Sequence, residues 1–105
     1  MAKGYFMVRA EVPREADRAP FDHWYAIDHL PWAIEVFGAQ RGSRCWSRSD
    51  PAVHYAFYEF ADVGHAQALI DSDEIKPLVA DFDRVWGARV TRGREILEIA
   101  QELAP

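Results

Sequence analysis

The chain lacks most of what marks a specialised function at sight. It has one cysteine, Cys45, which excludes an internal disulfide framework. It has no basic tail and no run of lysine or arginine, and its net charge is −5. Nucleic-acid binding leaves a basic footprint, so no nucleic-acid partner is expected. No segment approaches the ~20 apolar residues of a membrane span. Residues 1–20 hold no apolar stretch behind a basic start. The expectation is a cytoplasmic protein with no membrane partner. HExxH and CxxC spacings are absent, and His23 and His29 differ too much in helical phase to chelate together, so no metal site is expected. No glycine-rich phosphate loop occurs, which argues against nucleotides. Cys45 sits between Arg44 and Trp46 with no histidine beside it in sequence, a poor setting for a thiolate nucleophile.

What is present is apolar and aromatic. The 105 residues predict one domain spanning 1–105. Hydrophobic residues make up 50% and aromatics 13%, high for so small a core, so part of that surface is expected to meet a second subunit.

Tyr5 to Val12 reads as a strand stopped by Pro13, and residues 13–20 as a polar connection. Phe21 to Phe37 has helical character and ends at Gly38, a left-handed cap. Pro31 interrupts it with a kink or the start of a second short helix. Gln40 to Ser49 and Val53 to Phe60 read as strands around an Asp50-Pro51 turn. Val63 to Ile70 is a helix capped by Asp62, Ile75 to Trp86 a further helix, and Val90 to Ile99 the last strand, with a helical tail possible at Gln101. The order β-α-β-β-α-β predicts an α+β, ferredoxin-like fold with an antiparallel sheet.

The strand Val53 to Phe60 carries Val53, Tyr55, Phe57 and Glu59 on one side and His54, Ala56, Tyr58 and Phe60 on the other. Both sides are largely apolar, whereas a sheet with one wet face alternates cleanly. This fold order puts the helices on one face, so a second copy of the sheet is expected to cover the other, in a homodimer.

Three stretches resemble the dimeric α+β barrel superfamily, especially its EthD-like and antibiotic-biosynthesis-monooxygenase-like members. They are Trp24-Tyr25 with His29-Leu30-Pro31, then Phe37-Gly38 leading to Arg41, and finally Tyr58-Glu59-Phe60-Ala61-Asp62 with Ser72 to Leu78. The superfamily is functionally mixed. It includes cofactor-free oxygenases, isomerases, polyketide cyclases and haem enzymes.

Candidate site residues come from helical phase. At about 100° per residue, Phe21, Tyr25, His29, Trp32 and Val36 share one side of the first helix, and Ile27, Leu30, Ile34 and Phe37 the opposite one. The aliphatic stripe is the expected core contact. The aromatic stripe suits either a cleft wall with a few polar groups or a solvent edge and dimer seam. His29 is the candidate acid–base residue, its alternative being a cap on the Pro31 kink, and Tyr25 would orient a substrate. Trp32, His54, Tyr58, Trp46 and Trp86 are candidate ligand-binding residues, with core packing as the alternative for the aromatics. His65 opens a helix at a position from which some superfamily members ligate haem, but it stands alone, so no cofactor is expected. The expected function is cofactor-independent proton transfer or oxygen addition on a small hydrophobic, cyclic or polyketide-like molecule between the first helix and the sheet. The alternative is a non-catalytic ligand-binding or assembly module.

Overall fold

A computed structural model describes residues 2–105. Four strands, β1 (Gly4–Glu11), β2 (Arg41–Trp46), β3 (Val53–Phe60) and β4 (Thr91–Glu98), form one antiparallel sheet in the order β2-β3-β1-β4. Between β1 and β2 run α1 (Glu15–Trp24), a π-helical turn over Tyr25–His29, and α2 (Leu30–Phe37). Between β3 and β4 run α3 (Val63–Ile70), a 3₁₀ turn at Asp73–Ile75, and α4 (Lys76–Trp86). This is the ferredoxin-like arrangement that the element order predicts. No helix among the described residues is long and apolar enough to cross a membrane.

All the helices lie on one face of the sheet. Phe6, Val8 and Ala10 of β1 and Ala56, Tyr58 and Phe60 of β3 pack there against Phe21, Tyr25, Phe37, Leu69, Phe82 and Trp86. The other face has no layer. Met7 is buried, Tyr5, Tyr55, Phe57 and Leu97 are half-buried, and Arg9, Arg41, Cys45 and Glu95 are exposed. Tyr5 and Phe57 meet edge to face on it, and the Tyr5 hydroxyl donates to Glu59 at 3.1 Å.

Three local features depart from expectation. Residues 13–20 are not a loop, because α1 begins at Glu15 and runs through Pro20. Proline removes only one helical N–H, and Phe21, fully buried one residue on, holds the turn by packing. No helix follows β4, and residues 99–105 are irregular. The break before Pro31 is a π turn rather than a gap between helices. A proline ring clashes with the carbonyl four residues back, and a π turn widens the ladder at that point.

That turn also changes the expected core stripe: Phe37 is core and Leu30 and Ile34 pack against it, but Ile27 does not join them. Phe21, Tyr25, His29, Ala33 and Phe37 are all buried, whereas Ile27 is 62% exposed. On a straight α-helix each four-residue step overshoots by about 40°, so a long four-residue ridge drifts off its face. The wider π turn takes some of that overshoot back and keeps the aromatic ridge on the core. Trp32, one residue short of the ridge, is left 37% exposed.

Two helix ends follow their sequence signals. Gly38 closes α2 in the left-handed conformation, φ 64°, and Ala39 N–H donates to Ile34 at 3.2 Å. Asp62 caps α3, accepting from Gly64 N–H at 2.9 Å.

Candidate functional site

The ridge from α1 through the π turn delivers Tyr25 and His29 over the centre of the sheet. There they meet Tyr58 of β3, and the three line one internal cavity with Phe6, Phe37 and Phe82. Its free volume is ≈ 20 Å³, about one water molecule. The wall is apolar except for those three side chains and two arginines, Arg92 and Arg94 of β4.

His29 is buried, 7% exposed, stacked on Trp24 at 4.7 Å and set edge-on to Tyr25 at 4.9 Å. Its Nδ1 is buried without a hydrogen-bond partner. It stands at the N-cap position of α2 and makes no side-chain cap hydrogen bond, so the kink-capping alternative finds no contact. Burial pushes its pKa down to about 4, against a raising effect of Asp81 and reinforced by Arg92. The ring is therefore neutral at pH 7. Burial likewise pushes Tyr25 up to about 12 and Tyr58 well above 10, so both phenols stay protonated.

The remaining candidates do not join this cavity. His54 is fully buried behind it, 5.2 Å from Phe21 and 4.8 Å from Tyr25, ring centre to ring centre. Its Nε2 lies 3.2 Å from Arg44 Nη1, and Nδ1 has no partner. Burial, aided by Arg44 and opposed by Asp22, lowers its pKa to about 4. A neutral ring accepting from Arg44 through Nε2 carries its proton on Nδ1. Trp46 donates to Asp22 at 2.8 Å and lines a separate shallow surface groove with Asp22, Ser47 and Pro51. Trp86 is core, with Arg89 over its ring at 4.5 Å. Trp32 lies outside the cavity lining. His65 stands edge-on to Phe60 at 4.7 Å. Among the described residues no group of three or more His, Cys, Asp or Glu side chains could hold a metal ion.

The sequence reading missed Arg92 and Arg94. Their register partners on β1 are Ala10 and Val8, which face the helices, so both guanidiniums point into the helix layer. Arg92 donates to Asp83 at 3.0 Å and lies 4.3 Å over the Phe82 ring. Arg94 lines both the inner cavity and an outer groove of ≈ 420 Å³ that includes Ile75, Lys76, Val79 and Asp83. The groove adjoins the cavity, sharing Ile75, Val79 and Arg94 with it, between the 3₁₀ turn, α4 and the edge strand β4.

No family model and no curated protein matches the chain. Solved structures share its fold. A dimeric ferredoxin-like protein from an uncultured marine organism is 15% identical, with a TM-score of 0.65 over 98% of this chain and 100% of that one. An ethyl tert-butyl ether D (EthD) family protein of Bacillus halodurans is 18% identical, with a TM-score of 0.65 over the same shares. SnoaB, a cofactor-independent oxygenase of Streptomyces nogalater, is 14% identical, with a TM-score of 0.66 over 100% of both chains. Identities this low establish the fold that these proteins share with the chain, and a shared fold does not fix a reaction.

Proposed function

We propose that this chain is a cofactor-independent enzyme that removes a proton from a small hydrophobic, cyclic substrate, leaving a carbanion or enolate that isomerises or combines with dioxygen. The observation that carries this reading is the meeting of a neutral, unpartnered His29 with Tyr25 and Tyr58 on one apolar cavity. His29 takes the substrate's acidic hydrogen as a proton, and the electron pair stays on the substrate. An imidazole with a pKa near 4 is a weak base on its own. The enolate formed beside it raises its proton affinity, so the two charges develop together. Tyr25 and Tyr58, held protonated, orient the substrate oxygen as hydrogen-bond donors. That SnoaB, which shares this fold, is a cofactor-independent oxygenase is consistent with the reading.

The test uses a panel of enolisable polycyclic ketones, following deuterium uptake from D₂O and dioxygen consumption. Active members should lose about 10²-fold or more in rate in His29→Ala. His29→Phe, which preserves the stack on Trp24, should lose as much while unfolding at an unchanged urea midpoint. A full rate in both variants would refute the assignment. One observation favours a non-catalytic ligand-binding module instead: the inner cavity admits about one water as it stands. In that case the panel binds without exchange or oxygen uptake.

A further inference from the structure

We propose that Arg94 is the anion anchor between the cavity and the groove, and that the ligand is an acid with one carboxylate on a planar apolar body. This rests on the reading of the inner cavity as the ligand site, and it adds the ligand's charge. The side chains around the groove divide sharply in how they are paired. Arg92 has Asp83 at 3.0 Å, and Lys76 has Asp73 at 2.6 Å. Arg94 has no ion pair and no hydrogen bond among the described residues, although it is half-buried among Ile75, Val79 and the cavity wall. Asp83, which acts on Arg94 through its charge, is already paired with Arg92. Asp71 is the acidic group left on the rim.

A partly desolvated guanidinium without a counter-charge is costly, and burial pulls the proton affinity of Arg94 down accordingly. The planar fork of arginine fits a carboxylate through two parallel N–H···O bonds. A ligand whose carboxylate sits on Arg94 has room for its rings in the outer groove, with one edge directed at Tyr25, Tyr58 and His29 within.

Three measurements on the full chain test this. The first compares 2-naphthoate with the neutral 2-naphthamide by calorimetric titration, while NMR follows the His29 ring signals. Naphthoate should bind on the order of tenfold to a hundredfold more tightly. Second, Arg94→Gln should reduce naphthoate to the level of the amide, and Arg94→Lys should recover part of the difference. Third, Arg94→Gln should leave the urea midpoint unchanged or raised, because an unpaired, half-buried charge is removed. Equal binding of both probes with His29 signals still shifting would overturn the anchor and leave the site reading standing. No shift of His29 with either probe at millimolar concentration would remove the site reading and the anchor with it. A lowered midpoint in Arg94→Gln would make Arg94 a structural residue and overturn the proposal.

Discussion

His29 and His54 are both buried neutral, and their chemistry predicts an acid-labile molecule. Each has a folded pKa of about 4 against an ordinary value of 6.5. Between those values the unfolded chain binds more protons than the folded one, so stability rises with pH. The stabilisation is complete above about pH 6.5 and is lost as pH falls towards about 4, by up to ~3 kcal/mol for each ring. Asp22, held below its ordinary value by Trp46 and Arg44, titrates beneath this window. Urea midpoints at pH 7, 5.5 and 4.5 should fall steadily, and His54→Phe should reduce the slope by about half. A flat profile would mean that the rings are better solvated than their burial implies. Of the residues that line the cavity, His29, Tyr25 and Tyr58 were legible in the sequence as polar groups within aromatic stripes. Arg92 and Arg94 were readable too, since they share strand parity with Ile96, but arginine is rarely assigned to a core face.

The elements show where sequence patterns stop being informative. Strand β3 and helix α3 follow directly from their residues, because Val53 to Phe60 is rich in β-branched and aromatic side chains and Asp62 is a strong cap. The π turn could not be read, since a helical wheel assumes a constant angle and Tyr25–His29 departs from it. Its effect on the site is large, because it carries Tyr25 and His29 inward while Ile27 faces water. The α2 segment beyond it lies so close to β2 that a Cβ on Gly42 would sit 2.5 Å from Ile34 Cδ1 and 2.7 Å from Cγ1. Gly42→Ala should therefore push α2 away from the sheet and cost about 1–3 kcal/mol in urea unfolding. Because α2 begins where His29 ends, the His29 ring signals should shift in the same variant. Unchanged stability would mean that Ile34 simply rotates aside.

At the scale of the whole molecule, the uncovered sheet face decides the assembly. Tyr5, Met7, Tyr55, Phe57 and Leu97 form an apolar field bounded by Arg9, Arg41, Glu59 and Glu95, the layout of an apolar centre with a charged rim. We expect two copies to meet on it, as the family resemblance also implies. Light scattering at micromolar concentration should give twice the 12.0 kDa chain mass. Phe57→Glu, at the middle of the field, should return the single-chain mass, because an unpaired carboxylate would then be buried in the interface. A wild-type chain that scatters as a monomer would remove the expectation. The sequence could indicate that this face needs a cover, but not how its apolar and charged residues divide between centre and rim, because that depends on register across four strands.

The sheet remains open at β2 and β4, and each of these outer strands turns arginine towards the helix layer: Arg44 on one, Arg92 and Arg94 on the other. An unpaired strand margin is a template on which foreign chains can stack, and charges directed inward are among the devices that discourage such growth. The inward charge of the proposed anchor is thus also of the kind that disfavours such stacking at this margin.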